Sequence, residues 1–135
     1  GFFYVMALES CSIYTKSPEW WQQGQSFYGG GTKRVSESPE KSLRAIDIQT
    51  GKIAWEMPQV GPGNSAGGVL STAGGIVVFG DDSGGLAAAD AKTGKALWHF
   101  HTNENFRASP MTFLVKNKQY FAIAAGSNII AFSLP

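Results

Sequence analysis

Two histidines at i and i+2, His99 and His101, are the first residues whose types suggest chemistry. On a strand such a pair leaves one face together and could offer two imidazoles to one ion. Two ligands do not make a zinc site, so the pair reads as the surface of an outer strand. Asp81-Asp82-Ser83-Gly84-Gly85 places two carboxylates at a turn, with a weak surface cation site as the alternative. Gly29-Gly30-Gly31-Thr32-Lys33 could cradle a phosphate, but it lacks the G-x-x-x-x-G-K-[ST] order and reads as a flexible loop tip. Ser38-Pro39-Glu40-Lys41 with Lys92-Thr93-Gly94 has the S-x-x-K and K-T-G spacing of a serine nucleophile and its lysine. No S-D-N lies between them, and Gln49-Thr50-Gly51 repeats the second element in a different context. The lone Cys11 supplies neither a disulfide framework nor a metal quartet.

Composition narrows the classes further. Eleven Lys and Arg stand against ten Asp and Glu, and this balance argues against a nucleic-acid or membrane-surface partner, which needs a basic field. No apolar run approaches the ~18 residues of a membrane helix. The opening G-F-F-Y-V-M-A-L-E-S-C has no initiating Met and no basic segment, and Leu8-Glu9-Ser10-Cys11 is a poor lipobox. It reads as a strand cut out of a longer chain. Seventeen glycines, many β-branched and aromatic residues, and no sustained 3.6-residue stripe predict an all-β chain.

The elements that must position any site come from a repeat. Leu43-Arg-Ala-Ile-Asp-Ile-Gln-Thr-Gly-Lys-Ile-Ala-Trp55 returns as Leu86-Ala-Ala-Ala-Asp-Ala-Lys-Thr-Gly-Lys-Ala-Leu-Trp98, with seven of thirteen positions identical at an offset of 43. A third copy starts at Ile129, with Ala131 in phase with Ala45 and Ala88. A period of roughly 40–50 residues built from short strands is a propeller blade of four antiparallel strands, A to D from axis to rim. The first blade reads B at about 2–7, C at 43–48 and D at 52–57; the second A at 67–72, B at 75–80, C at 85–90 and D at 95–101; the third A at 108–115, B at 119–125 and C at 128–134. The expected organisation is a C-terminal piece of one propeller over 1–135, with blades at 1–58, 59–103 and 104–135, the first and last incomplete.

Alternating strand direction sorts the loops onto two faces. Tight A–B and C–D turns take one; the other carries 59–66, 81–84, 102–107, Ser127 and the long insertion Glu9–Ser42. Function is expected on that second face. Asp47 and Asp90 should accept amides of their turns, and Gly51 and Gly94 should take the left-handed position. Trp55 and Trp98 should wedge their rings, buried, between neighbouring sheets. Arg107, just before an innermost strand, is the cation placed to meet an anionic ligand.

The pattern A-x-D-x-x-T-G-K-x-x-W resembles the tryptophan-docking repeat of the quinoprotein alcohol and methanol dehydrogenases. The stretch from Gly67-Gly-Val-Leu-Ser-Thr-Ala-Gly-Gly-Ile-Val-Val-Phe-Gly80 on to Trp98 and the ending from Ala108-Ser-Pro-Met-Thr-Phe to Pro135 resemble their C-terminal blades. The resemblance implies an eight-bladed propeller holding pyrroloquinoline quinone (PQQ) and Ca²⁺ at its axis. It also implies a periplasmic enzyme that oxidises an alcohol or sugar and passes electrons to cytochrome c or a quinone. The family's catalytic carboxylate and calcium ligands fall upstream of this chain.

Two family cofactor contacts should fall within the chain, and both places differ. The usual Asn place follows Tyr4-Val5-Met6-Ala7 and holds Leu8 and Glu9, while the usual stacking Trp place holds Ser65 and Ala66. Trp20 or Trp21 is a possible substitute for the missing ring. The expected cofactor contacts are Glu9, Asn64, Ser65 and Arg107, with no catalytic residue and no metal ligand from this piece, which should be inactive alone. The differing class is a non-enzymatic propeller scaffold, like the outer-membrane assembly lipoproteins. Open edges at strand B of the first blade and strand C of the last should pair with the remaining blades or with a second copy.

Overall fold

Every regular element of the computed structural model is a strand, because short apolar runs alternate with turn residues at a period of two. The structure describes residues 1–35 and 39–133, so Ser38 of the S-x-x-K motif lies outside it. The chain divides into two units, 1–7 with 41–135, and 8–40.

Three antiparallel sheets make up the larger unit. The first joins β1 (Phe2–Glu9), β4 (Glu40–Asp47) and β5 (Ile53–Pro58) in that order. The second is complete, β6 (Leu70–Ser71), β7 (Ile76–Gly80), β8 (Gly85–Asp90) and β9 (Ala96–His101); the third is β10 (Met111–Val115), β11 (Lys118–Ala125) and β12 (Asn128–Ser133). All ten strands of the repeat-based reading are present. The smaller unit adds a hairpin, β2 (Ser12–Lys16) with β3 (Gly30–Arg34), inside the segment expected to be a loop. The glycine-rich 29–33 stretch is therefore largely strand and not a loop tip. A Cβ at Gly30 would lie 1.7 Å from the Thr15 carbonyl oxygen, so its glycines let β3 close on β2.

The central strands of the second sheet, β7 and β8, are buried on both faces, which is why Ile76-Val-Val-Phe79 and Leu86-Ala-Ala-Ala89 read as continuous apolar runs, while β9 is exposed along its length. Leu43, Val77, Phe79, Ala87 and Ala89 form one core against the first sheet, joined by Tyr4, Met6, Trp55 and Met57. Val78, Leu86, Ala88, Phe106, Ile123 and Ala125 form the other against the third. Alternation along β7 and β8 sends successive residues to opposite cores.

Both C–D hairpins use the same device. Asp47 Oδ1 accepts the amides of Gln49 and Thr50 at 2.9 Å each, and Asp90 Oδ1 accepts those of Lys92 and Thr93 at 3.1 and 2.8 Å. Gly51 and Gly94 take φ of 69° and 72°, as the repeat requires. Each ladder shifts register at the same point, after Ala45 and after Ala88, so Ala54 and Leu97 are the extra residues and both tryptophans sit at equivalent places.

The two tryptophans nevertheless differ. Trp55 Nε1 donates to the Ala91 carbonyl at 3.0 Å, and its ring lies where a Cβ on Gly94 would be, 2.7 Å away. Tyr4 donates to the same carbonyl at 2.9 Å. Burial at this seam and the nearby Asp90 carboxylate raise the Tyr4 hydroxyl's pKa above the usual phenol range. Trp98 meets Phe132 and Phe121 edge-on, with ring centroids 5.2 and 6.4 Å apart, and stays 38% exposed. The fully buried pair of rings expected from the repeat is not found. The residue in phase with Ala91 in the third repeat is Leu134, outside the described residues.

Trp55→Ala should cost about 3 kcal/mol and Trp98→Ala about half that, because only Trp55 combines ring packing with a bonded indole. Chemical denaturation of the two variants checks the order; equal losses would refute unequal docking. Hydrogen bonds also set the acid limit. Turn amides, Thr50 first, hold the Asp47 carboxyl below its usual range, and the Thr93 hydroxyl and amide do the same for Asp90. A depressed folded pKa contributes stability above the unfolded value that is lost as pH falls through the folded one, so melting temperature should drop below about pH 4. Asp90→Asn should flatten that acid limb in melts run from pH 6 to 2; an unchanged limb would clear the turn of the effect.

Candidate functional site

Three loops of the larger unit converge on the face opposite the tight turns: 59–69, 81–84 and 102–110. Loops that meet away from sheet ladders must find other partners for their backbone groups. Here they find one another. Gly63 donates to the Asp82 carbonyl at 2.8 Å, and Ala66 and Gly67 donate to the Phe106 carbonyl at 2.9 and 3.0 Å. A Cβ on Gly63 would stand 2.6 Å from the Asp82 oxygen, which explains glycine in this segment.

Ser65 is the hub, 1% exposed. Its amide donates to Asp82 Oδ1 at 2.9 Å, its hydroxyl donates to the Asp81 carbonyl at 2.8 Å, and the same hydroxyl accepts the Phe106 amide at 3.1 Å. Lys41, at the start of β4, donates to the Ser65 carbonyl and to Asp82 Oδ1, the latter at 2.7 Å. The Lys41 and Asp82 side chains are 10% and 9% exposed, so this ion pair is largely withdrawn from water. Phe106 is fully buried in the second core, and its ring lies against Gly80.

Asn64 and Arg107 flank these buried anchors and are themselves exposed. The Asn64 amide donates to Asn105 Oδ1 at 2.7 Å, tying its loop to the one that carries Arg107. Arg107 lies between buried Phe106 and buried Pro110 and has no ion-pair partner among the described residues. The structure thus brings Asn64, Ser65 and Arg107 onto one bonded cluster of loops. Glu9 ends β1 and belongs to the other unit, 8–40.

Beside the cluster, Asp81 Oδ1 accepts the Ser83 and Gly85 amides at 3.1 and 3.0 Å, the expected turn. His99 Nε2 lies 2.9 Å from Asp81 Oδ2, and the His99 and His101 ring centroids are 6.0 Å apart. Among the described residues no group of three or more His, Cys, Asp or Glu could hold a metal ion. A cavity of about 240 Å³ runs along the seam of the first two sheets, with Met57, Phe79 and Trp98 as apolar walls and Asp81 and His99 at its polar end.

The sequence sets Lys41 in an S-x-x-K spacing and Asp82 in a turn without pairing them, and it does not single out Phe106. One signal existed for Lys41: the 43-residue offset sets it in phase with Gly84, so a lysine stands where the sister blade has none.

Strand order, Asp-x-x-T-G-K turns and a docked tryptophan define a partial β-propeller of tryptophan-docking repeats. The chain belongs to the PQQ_2 family, described as outer membrane protein assembly factor BamB, which matches residues 12–134. It is 35% identical over 128 residues to a quinoprotein ethanol dehydrogenase of Pseudomonas aeruginosa, covering 93% of this chain and 20% of that protein. A europium-containing methanol dehydrogenase superposes with a TM-score of 0.79 at 28% identity, over 91% of this chain and 22% of that one. BamB from Moraxella catarrhalis shares the fold alone, with a TM-score of 0.54 at 14% identity over 95% of this chain and 46% of that one. The chain thus spans about a fifth of the length of its dehydrogenase relatives.

Ser65→Ala would leave a buried carbonyl and a buried amide without their shared hydroxyl and should destabilise the chain by about 2–3 kcal/mol. Denaturation of the variant tests this, and a loss below about 0.5 kcal/mol, the ordinary surface value, would remove Ser65 from the hub.

Proposed function

We propose that this chain forms one wall of the cofactor funnel of a periplasmic PQQ-dependent dehydrogenase acting on alcohols or sugars, and that it is inactive by itself. The observation that carries the reading is exposed Arg107, without a counter-ion among the described residues, on a loop anchored by Phe106 and bonded through Asn105 to Asn64. PQQ is a tricarboxylate, and a planar guanidinium grips a carboxylate through two parallel hydrogen bonds. When bound, PQQ would supply the two-electron oxidation of the substrate.

The chain's own part is positioning. Arg107 orients an acidic edge, Asn64 offers a polar contact, and Ser65, buried with both hydroxyl functions engaged, holds the loops that carry them. Glu9 contributes as a contact only where Ca²⁺ or a cation offsets its charge. The wall fits an anionic edge better than a flat ring, since Ser65 and Ala66 give no aromatic surface. Ca²⁺, the catalytic carboxylate and the cytochrome c or quinone acceptor belong to the rest of such an enzyme.

A second reading rests on that same pair, Ser65 and Ala66, where the dehydrogenases stack a tryptophan: a non-catalytic scaffold of the assembly-factor type. Titration of the complete protein with PQQ and Ca²⁺ separates the two. Saturable binding that weakens by about 1–3 kcal/mol in Arg107→Lys supports the funnel, the size expected when a charged hydrogen bond is lost. Absence of binding supports the scaffold.

Strand pairing is the third part of the proposal. Among the described residues β1 and β12 each have one sheet neighbour, and Ile129 on β12 is 81% exposed. Such edges pair with remaining blades or with a second copy. Light scattering of the 135-residue chain should show self-association rising with concentration; a monomer throughout would count against open-edge pairing.

A further inference from the structure

We propose that the buried Lys41–Asp82 ion pair is the positioning device of the loop face, holding the 61–67 arm and the Phe106–Arg107 arm as one rigid wall. The inference deepens the funnel reading and rests on it only for what the wall contacts. Three observations support it. Lys41 is carried by the first sheet, whereas Asp82 and Ser65 belong to the connections of the second, so the ammonium ties two sheets together at their loop ends. Asp82 Oδ1 accepts from both the Lys41 ammonium and the Ser65 amide, so one oxygen fixes the cation and the arm at once. Ser65 then passes that constraint to the Phe106 amide through its hydroxyl. Arg107 is the next residue along.

Burial decides why this arrangement positions rather than merely stabilises. Withdrawing two charges from water carries a desolvation penalty that can cancel their attraction, so such a pair is weak evidence for added stability. Its geometric demand remains. The ammonium must meet the Ser65 carbonyl and Asp82 together, which leaves the arm a single seat. No shape-matched apolar pair would hold the Ser65 amide and carbonyl in this way.

The test is amide hydrogen exchange on the 135-residue chain, for parent, Lys41→Met, Asp82→Asn and the double variant. Lys41→Met leaves a buried carboxylate without its counter-ion. Exchange should then quicken about tenfold or more at Ser65, Ala66, Gly67 and Phe106, the scale of a local opening, with Val78 and Ala88 of the central strands unchanged. Adding Asp82→Asn removes the stranded charge and keeps an oxygen for the Ser65 amide. The double variant should therefore exchange more slowly at these amides than Lys41→Met alone, a non-additive rescue.

Equal acceleration at Val78 and Ala88 would mean the pair serves general stability, and strictly additive effects would mean the two residues act apart; either overturns the proposal. In the complete protein, Lys41→Met should weaken PQQ binding several-fold, and unchanged affinity would also overturn it. A parent that binds no PQQ would instead refute the funnel reading, while the exchange results still decide the role of the pair.

Discussion

The two central strands of the second sheet, β7 and β8, have no solvent face, and most of the molecule follows from that constraint. A strand pair buried on both sides must carry apolar residues at every position, and those residues must be small enough for two neighbouring sheets to approach. Ala87, Ala88 and Ala89 meet both demands on β8, and Val77 and Val78 do so on β7. The sheets on either side exist as cores only through this shared partner. Leu43 is fully buried against one face, and Ile123 and Ala125 against the other. Stacked repeats of this kind cannot bury their hydrophobic faces singly, which is the physical reason for repetition.

Where the sheets end, polar geometry replaces apolar packing. The two C–D turns close on local carboxylates, Asp47 and Asp90, which accept amides of the same turn. The opposite loops use that device at Asp81 and also satisfy their backbone across long sequence distances, with Ser65 bonded to a loop 41 residues away. A face built in this way is held in place and still presents side chains outward. Asn64 and Arg107 gain fixed positions because their neighbours are buried. Fixed position is what the proposed recognition of PQQ would require.

The likeness to quinoprotein dehydrogenases and the substitutions at Ser65 and Ala66 bear on one another. A tryptophan side chain at Ser65 would occupy the place of the hydroxyl that bridges Asp81 and Phe106. The serine is therefore part of a different construction, with polar bonding in the layer where the relatives are expected to have an aromatic ring. The segment after Gly67 and the segment just before it are therefore under different demands. Sheet packing constrains the former, and loop bonding the latter.

By itself, the sequence determined the all-β class, the ten strands of the repeat, the turn chemistry of Asp47, Asp90, Gly51 and Gly94, and which loops share a face. These depend on local propensity and on a 43-residue period, both of which survive in one dimension. Tertiary structure alone decided the rest. The hairpin of β2 and β3 has no counterpart in the sister repeat, so periodicity could not announce it. Trp55 and Trp98 are equivalent in sequence but meet different neighbours, a carbonyl with a glycine for one and phenylalanine edges for the other. Lys41 and Asp82 are 41 residues apart, and single charged residues carry no signal of burial until folding removes their water. Pairing across such distances is set by where the sheets place loop ends, which no local pattern encodes.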